Sequence, residues 1–128
     1  MVTSKQNLHN WNVSIDEARV IQEKLQSRVV LKAPNLPIKT IAACDVSFDK
    51  HAPWLFAGVA LFRYPQLELL EESVVRAPVT FPYVPGYLSF RETPAVLKAF
   101  EKISKLPDCI IVDGHGLAHP RFFGFACH

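Results

Sequence analysis

The sequence has little net charge and no long apolar run, and both absences narrow its possible functions. Its 14 Lys and Arg residues against 12 Asp and Glu residues leave a net charge of +2 at pH 7. Proteins that bind nucleic acid through bulk electrostatics carry far more charge, so any contact with a polyanion must depend on a local site. No apolar stretch approaches the roughly 20 residues of a membrane-spanning helix, so we expect no membrane contact.

Cysteine is also scarce, with three residues, Cys44, Cys109 and Cys127, and no C-x-x-C pair. Cys44 and Cys109 lie inside apolar runs, which is typical of small buried hydrophobic side chains. The opening residues, MVTSKQNLHNWNVS, contain no apolar segment of the kind found in signal peptides. These absences predict a protein of the reducing cytoplasm.

The length of the chain predicts a single domain over residues 1–128. A helix is predicted to open it over residues 14–30, where Ser14 and Glu17 fit a capping box. The apolar stripe of this helix consists of Ala18, Ile21, Leu25 and Val29.

Three strands are predicted to follow, over residues 38–48, 54–64 and 66–77. The third segment also fits a helix. The short connection at residues 64–66 favours a hairpin, and we therefore predict a strand.

A segment rich in proline and aromatic residues, 78–92, is predicted to form no regular element. A helix is predicted over residues 93–106, with Thr93 as its cap and Pro94 at its first position. The residues expected on its buried stripe are Val96, Leu97, Phe100 and Ile103.

The sequence CIIVD, residues 109–113, predicts a short strand covered on both faces, and the residues after Pro120 are expected to open a further helix. This order of elements predicts an α/β fold. If the fourth strand lies beside the first, the helical crossover makes the two parallel in an otherwise antiparallel sheet.

Asp45 and Asp113 would then lie at the carboxyl ends of neighbouring strands, where open α/β sheets place their sites. Two such carboxylates repel unless a cation lies between them, and oxygen ligands favour Mg²⁺ or Mn²⁺ over zinc. Glu92 is a third candidate, and three carboxylates around Mg²⁺ suit phosphodiester hydrolysis. Aspartates at strand ends also serve as ordinary caps and turns, so this alternative stays open.

His115 and His119 offer a competing zinc site, because their spacing places both on one face of a helix. Gly114 and Gly116 argue against a helix there, and the glutamate of H-E-x-x-H is missing. Alternatively, one histidine orients a carboxylate or acts on a leaving group.

The segment FPYVPGYLSF is expected either to cover the sheet edge or to recognise a ligand. Pro82 and Pro85 stiffen the turn that carries Tyr83, and such a turn beside carboxylates can stack on an extruded base. The cationic side chains nearby, which can meet phosphates but fit ordinary solvated charges better, are Arg91, Lys98 and Arg121.

Three segments, CDVSF (44–48), PYVPGYLSFRE (82–92) and VDGHGLAHPRFFG (112–124), resemble the defining motifs of the endonuclease V family of deoxyinosine 3′ endonucleases. The resemblance implies a ribonuclease-H-like fold, in agreement with the mixed sheet. It also implies cleavage of the second phosphodiester 3′ to hypoxanthine, leaving a 3′-hydroxyl and a 5′-phosphate. The implied partner is DNA containing deaminated bases, and some relatives prefer inosine in RNA.

On the same ground, Asp45 and Asp113 are expected to bind Mg²⁺, with Mn²⁺ as a substitute, and Glu92 is expected to be the third catalytic carboxylate. Tyr83 resembles the family's wedge residue at the lesion. The residues expected to contact DNA are Tyr83, Pro82, Gly114, Gly116, His119 and Arg121.

In the family, the helix that begins near Pro120 continues and further elements follow, so we expect residues 1–128 to be the front part of a truncated domain. The alternative to a nuclease is a catalytically incompetent fragment that binds nucleic acid or a protein. Its apolar ending, FFGFACH, and an uncovered sheet edge predict self-association.

Overall fold

A computed structural model describes residues 8–128 as two helices and four strands. In chain order they are α1 (Ile15–Gln26), β1 (Thr40–Phe48), β2 (Trp54–Arg63), β3 (Glu68–Pro78), α2 (Leu88–Phe100) and β4 (Cys109–Val112). The strands form one sheet in the order β3-β2-β1-β4. The first three strands pair antiparallel and β4 pairs parallel with β1, which confirms the predicted mixed sheet.

One face of this sheet packs against α2 because alternate residues of the strands are apolar. In β2, for example, Leu55, Ala57, Val59 and Leu61 are all buried. Together with residues of β1, β3, α2 and the turn after α2 they form the sheet cluster: Ala42, Cys44, Leu55, Ala57, Val59, Leu61, Val75, Ala77, Ala95, Val96, Ala99, Phe100 and Ile103. This packing holds β1 and α2, which carry two of the predicted carboxylates.

The helix α1 begins with the predicted capping box. Ser14 Oγ accepts from the Glu17 amide at 3.1 Å, and Glu17 Oε2 accepts from the Ser14 amide at 2.8 Å. The helix ends at Gln26, so Val29 lies beyond it. A second apolar group, the loop cluster, forms where Ala18 meets Phe81 and Phe90, with Trp11, Val13, Ile21 and Tyr87 packed around them.

The start of α2 was predicted wrongly, because it begins at Leu88 and not after Thr93. Pro94 therefore lies inside the helix, where it removes one backbone donor. The burial of Phe90 in the loop cluster favours the longer helix. The end differs too, at Phe100 instead of residue 106, and Leu97 is 45% exposed because the buried face is formed by Ala95, Val96 and Ala99.

The strand β4 is not covered on both faces as predicted. Ile110 is 48% exposed and Ile111 is 56% exposed, because this short strand lies at the edge of the sheet and pairs with β1. No helix forms within residues 121–128, where Phe122 has a φ of 52°, outside the helical region. None of the helices in residues 8–128 is long and apolar enough to cross a membrane.

Candidate functional site

The parallel pairing of β1 with β4 brings Asp45 and Asp113 to equivalent positions. The last pair in this ladder is Cys44 with Val112. Asp45 directly follows Cys44, and Asp113 directly follows Val112. Asp45 itself lies inside β1 and not at its end, because pairing with β2 continues past it to Phe48. Both aspartates are exposed to solvent, so their charges are available to a ligand at this edge.

Glu92 lies close enough to Asp45 and Asp113 for their negative charges to raise its pKa. It is a buried residue of α2, delivered by the helix and not by the preceding loop. Burial raises its pKa to about 7, the negative charges of Asp45 and Asp113 add to this rise, and the Arg91 guanidinium opposes it. The three predicted carboxylates therefore form one electrostatic group in which Glu92 titrates near neutral pH.

A divalent cation fits the chemistry of this group. All the donors are carboxylate oxygens, which suit Mg²⁺, and a cation would offset the repulsion from Asp45 and Asp113 that adds to the effect of burial on the pKa of Glu92. Within residues 8–128, however, no three His, Cys, Asp or Glu side chains are close enough to form a complete metal-binding group. The predicted metal site thus stays a prediction.

Arg91 is not the solvated charge that was expected. It is 5% exposed, donates from Nη1 to the Phe81 carbonyl at 3.0 Å, and places its guanidinium 5.0 Å from the centre of the Phe48 ring. Its Nε has no hydrogen-bond partner among the residues that the structure describes. Arg91 therefore joins the loop to the end of β1, whereas Lys98 is exposed as expected.

A cavity of about 220 Å³ includes Gly114, the residue after Asp113, in its lining. Its residues come from α1, from the proline-rich turn with the start of α2, and from the segment after β4: Gln22, Tyr83, Val84, Pro85, Gly86, Leu88, Ser89, Gly114, His115, His119, Gly124 and Phe125. Gly114 directly follows Asp113, so one short turn carries both a carboxylate and a wall of the cavity. A Cβ at Gly114 would lie 3.0 Å from Phe125, whereas Gly116 is outside the lining and has open space.

Tyr83 projects from the rim of the cavity and is 43% exposed. The Phe48 ring lies 5.9 Å from its ring, and Lys50 Nζ lies 4.8 Å from the ring centre. Pro82 beside it is exposed, while Phe81 is buried in the loop cluster. An aromatic side chain held in this way is free on one side to meet a ligand.

His119 and Arg121 point into the protein. His119 Nε2 lies 2.7 Å from the Gly86 carbonyl oxygen, and Arg121 donates to the same oxygen from Nη2 at 3.0 Å. Neither side chain forms a hydrogen bond with the carboxylates, so His119 does not orient one of them.

Sequence reasoning missed Gln22, Gly86, Gly124 and Phe125 as cavity residues. Gln22 had a usable signal, because it is a polar residue on the buried face of α1 between Ala18 and Leu25. A buried amide of this kind needs hydrogen-bond partners, and its partner here is the turn at Gly86.

Comparison with known proteins identifies the family. The endonuclease V family profile matches residues 23–128. The chain belongs to the endonuclease V family. Endonuclease V of Roseiflexus castenholzii is 46% identical over 120 residues, which cover 94% of this chain and 53% of that protein. The chain thus spans about half the length of the curated endonuclease V relatives it matches.

Solved endonuclease V structures share the fold described above. The Streptomyces avermitilis protein superposes with a TM-score of 0.83 at 37% identity, over 91% of this chain and 52% of that one. The Ciona intestinalis protein, solved with a 23mer DNA containing an inosine, superposes with a TM-score of 0.80 at 23% identity, over 88% and 50%. These superpositions confirm the predicted endonuclease V fold.

Proposed function

We propose that this chain contributes the base pocket and the carboxylates of an endonuclease that cuts DNA near deaminated bases, with hypoxanthine as the first candidate. The observation that carries the proposal is the turn in which Asp113 is followed by Gly114. One residue belongs to the carboxylate group and the next lines the 220 Å³ cavity. A base held in the cavity would bring its own strand to the carboxylates.

In this proposal the cavity receives the extruded base and Tyr83 supports the opened stack. Enzymes that act at one base of a duplex must move that base out of the stack, and aromatic side chains stabilise the opened strand. Tyr83 stands at the cavity rim with an exposed ring, which suits this role. The complex of the Ciona intestinalis protein with inosine-containing DNA supports the same class of substrate.

The proposed hydrolysis cuts the second phosphodiester 3′ to the lesion and leaves a 3′-hydroxyl and a 5′-phosphate. Asp45 and Asp113 would hold Mg²⁺, or Mn²⁺ in its place, which when bound supplies charge neutralisation and an activated water. The Glu92 carboxylate, with its pKa near 7, is able to accept a proton from a water molecule at neutral pH. The cytoplasmic location stays a prediction.

A second candidate function is binding without cleavage, to deaminated DNA or to inosine in RNA. The cavity is formed within the described residues, whereas the carboxylates in that part of the chain do not complete a three-residue metal group. The chain also matches only about half of each relative. We therefore expect little specific cleavage by the 128-residue protein.

Two assays separate these functions. Fluorescence anisotropy compares binding of a duplex with one deoxyinosine to the same duplex with deoxyadenosine, and a nicking assay with Mg²⁺ measures cleavage. Preferential binding without nicking supports the second function, and Mg²⁺-dependent nicking supports the first if Asp113→Ala abolishes it. Equal affinity for both duplexes and no nicking would contradict cleavage and binding of deaminated DNA, and the same anisotropy comparison with inosine- and adenosine-containing RNA tests the remaining alternative.

Asp45→Ala is the second variant to compare in the nicking assay, beside Asp113→Ala. If the two aspartates act together, each substitution removes nicking by orders of magnitude, because the charge on the phosphate is then poorly neutralised. Glu101→Gln, which removes an exposed carboxylate just beyond α2, is the matched control and should leave nicking unchanged. Nicking that survives in Asp45→Ala would contradict the shared site.

A further inference from the structure

The carbonyl oxygen of Gly86 lies within hydrogen-bond distance of three donors. Gln22 Nε2 donates to it at 2.9 Å, His119 Nε2 at 2.7 Å and Arg121 Nη2 at 3.0 Å. The donors come from α1 and from the segment after β4, which are far from Gly86 in the sequence. A carbonyl oxygen has two lone pairs, so three donors use its full capacity as an acceptor. One of these donors is cationic, which strengthens its hydrogen bond.

The three donors are also joined to one another. Arg121 Nε donates to Gln22 Oε1 at 2.5 Å, and the Arg121 amide donates to His119 Nδ1 at 3.1 Å. Because Nδ1 accepts, the proton of the neutral imidazole is on Nε2, where it meets the Gly86 oxygen. The Arg121 guanidinium also lies 4.4 Å from the centre of the Tyr87 ring. These contacts form a closed network, which we call the Gly86 latch (Gln22, Gly86, His119 and Arg121).

The burial of Gln22 and the backbone conformation of Gly86 restrict which residues can form the latch. Gln22 is 1% exposed, so both ends of its amide depend on these partners. Gly86 has a φ of +86°, which side chains rarely adopt. A Cβ there would also lie 3.0 Å from Arg121 Nη2. Any other residue would be strained at this turn, and the Arg121 guanidinium would have to shift to make room for its Cβ.

We infer that Gln22, His119 and Arg121 are positioning residues that fix the width of the cavity. The latch ties the turn at residues 83–86 to the segment at residues 114–121, and both segments contribute residues to the lining of the cavity. It also gives α1 a role, because α1 packs on the proline-rich turn through the loop cluster and reaches the cavity through Gln22. The inference rests on the proposed function for the cavity's ligand, while the latch itself is a property of the free protein.

The first test needs no nucleic acid. The Tyr87 amide donates to the Val84 carbonyl at 3.0 Å within the latched turn, so its hydrogen exchange reports opening of that turn. Gln22→Met removes both amide contacts at similar length, and Gln22→Glu keeps the acceptor for Arg121 but removes the donor to Gly86. We expect exchange at Tyr87 to accelerate about tenfold or more in both variants, as for the loss of a hydrogen bond to a charged network.

The matched control is Glu23→Gln, the next residue of the same helix, which is exposed and pairs with Arg19 at 3.2 Å. It should leave exchange at Tyr87 unchanged, and amides of β2 should be unaffected in all three variants. Nitrogen-15 NMR should find His119 as the Nε2-protonated tautomer in the wild type. Unchanged exchange at Tyr87 in both Gln22 variants, or the opposite tautomer, would overturn the latch.

The second test measures the ratio of affinities for the deoxyinosine and deoxyadenosine duplexes. If the latch sets the width of a base pocket, Gln22→Met lowers this ratio about tenfold while Glu23→Gln preserves it. If the wild type shows no preference, the proposed function fails while the exchange result still decides the latch. A preserved ratio in a Gln22→Met variant with faster exchange would show that the latch does not control recognition.

Discussion

The sheet cluster and the loop cluster are built in different ways. The sheet cluster joins three strands to α2 with 13 buried residues, all of them apolar. The loop cluster has only three buried apolar residues, Ala18, Phe81 and Phe90, and beside it lie the buried polar side chains of Gln22 and Arg91. The first cluster is held mainly by apolar area, and the second depends on the geometry of a few hydrogen bonds.

The two clusters position different parts of the candidate site. Asp45 and Glu92 are placed by β1 and α2, the elements that the sheet cluster holds together. Tyr83 and the wall at Gly86 are placed by the loop cluster and the Gly86 latch. Substitutions in the sheet cluster should therefore change global stability, whereas those around the turn should change the pocket with a smaller effect on folding.

The largest effect is expected at Leu61, which is 1% exposed in the sheet cluster. Leu61→Ala should lower the free energy of unfolding by about 2–5 kcal/mol, because it removes buried methyl groups and leaves a cavity. Leu69→Ala, at a position 50% exposed on β3, is the control and should cost less than about 1 kcal/mol. Urea denaturation measures both, and equal losses would show that the sheet cluster is not the main support of the fold.

The parts of the fold that depend on local pattern were predictable. Alternating apolar residues in β2 and the hairpin connection before β3 predict the antiparallel strands, and Ser14 with Glu17 predicts the start of α1. The start of α2 was missed because Pro94 favours the first helical turn, whereas burial of Phe90 extends the helix to Leu88. Tertiary packing thus overrides a strong local preference.

The candidate site was predictable only where its motif is contiguous. Gly114 and Tyr83, which the contiguous motifs singled out, both line the cavity, while their roles stay predictions. The latch was missed because Gln22, Gly86 and Arg121 are far apart in the sequence, and no periodic pattern relates them. The sequence also predicted surface roles for Arg91 and Arg121, since it contains no direct information on burial.

The next prediction tests whether the exposed turn beside the loop cluster supports recognition and not folding. Tyr83→Ala should weaken binding of a deoxyinosine duplex by about 1–3 kcal/mol, the usual size of a base-stacking contact. Its effect on unfolding should stay below about 1 kcal/mol because the residue is 43% exposed and lies outside both buried clusters. Tyr64→Ala, at a comparably exposed tyrosine in the β2–β3 connection, is the control for both measurements. A large loss of stability in Tyr83→Ala with unchanged binding would reverse the assignment.

Alanine substitutions at Gly86 and Gly116 distinguish the backbone strain of the turn at Gly86 from the general effect of adding a methyl group. Gly86→Ala should lower the free energy of unfolding by about 1–2 kcal/mol, because alanine resists a φ of +86° and its Cβ would meet Arg121. Gly116→Ala should cost little, since nothing lies within 4 Å of the added Cβ. Thermal denaturation of both variants measures the difference, and equal costs would remove the special role of Gly86.

The smallest effect is expected at Glu92 and depends on pH. Its pKa is about 7 in the folded protein against an ordinary value of 4.5, so between these values the folded state binds more protons than the unfolded state. The contribution of Glu92 to the free energy of unfolding is therefore fully present below pH 4.5, and it is lost as the pH rises through 7. Glu92→Gln cannot ionise, and it should raise the free energy of unfolding at pH 8 by about 1 kcal/mol after allowance for water around the exposed aspartates.

Below about pH 4.5 that advantage should vanish, because wild-type Glu92 is then protonated in both states. Urea denaturation at a series of pH values in EDTA measures this, with Glu101→Gln as the exposed control. Adding Mg²⁺ should shrink the difference at pH 8, because a bound cation stabilises the ionised wild-type carboxylate. An advantage of Glu92→Gln that is constant across the pH series would mean that neither burial nor the charges of Asp45 and Asp113 raise the pKa of Glu92 in the folded protein.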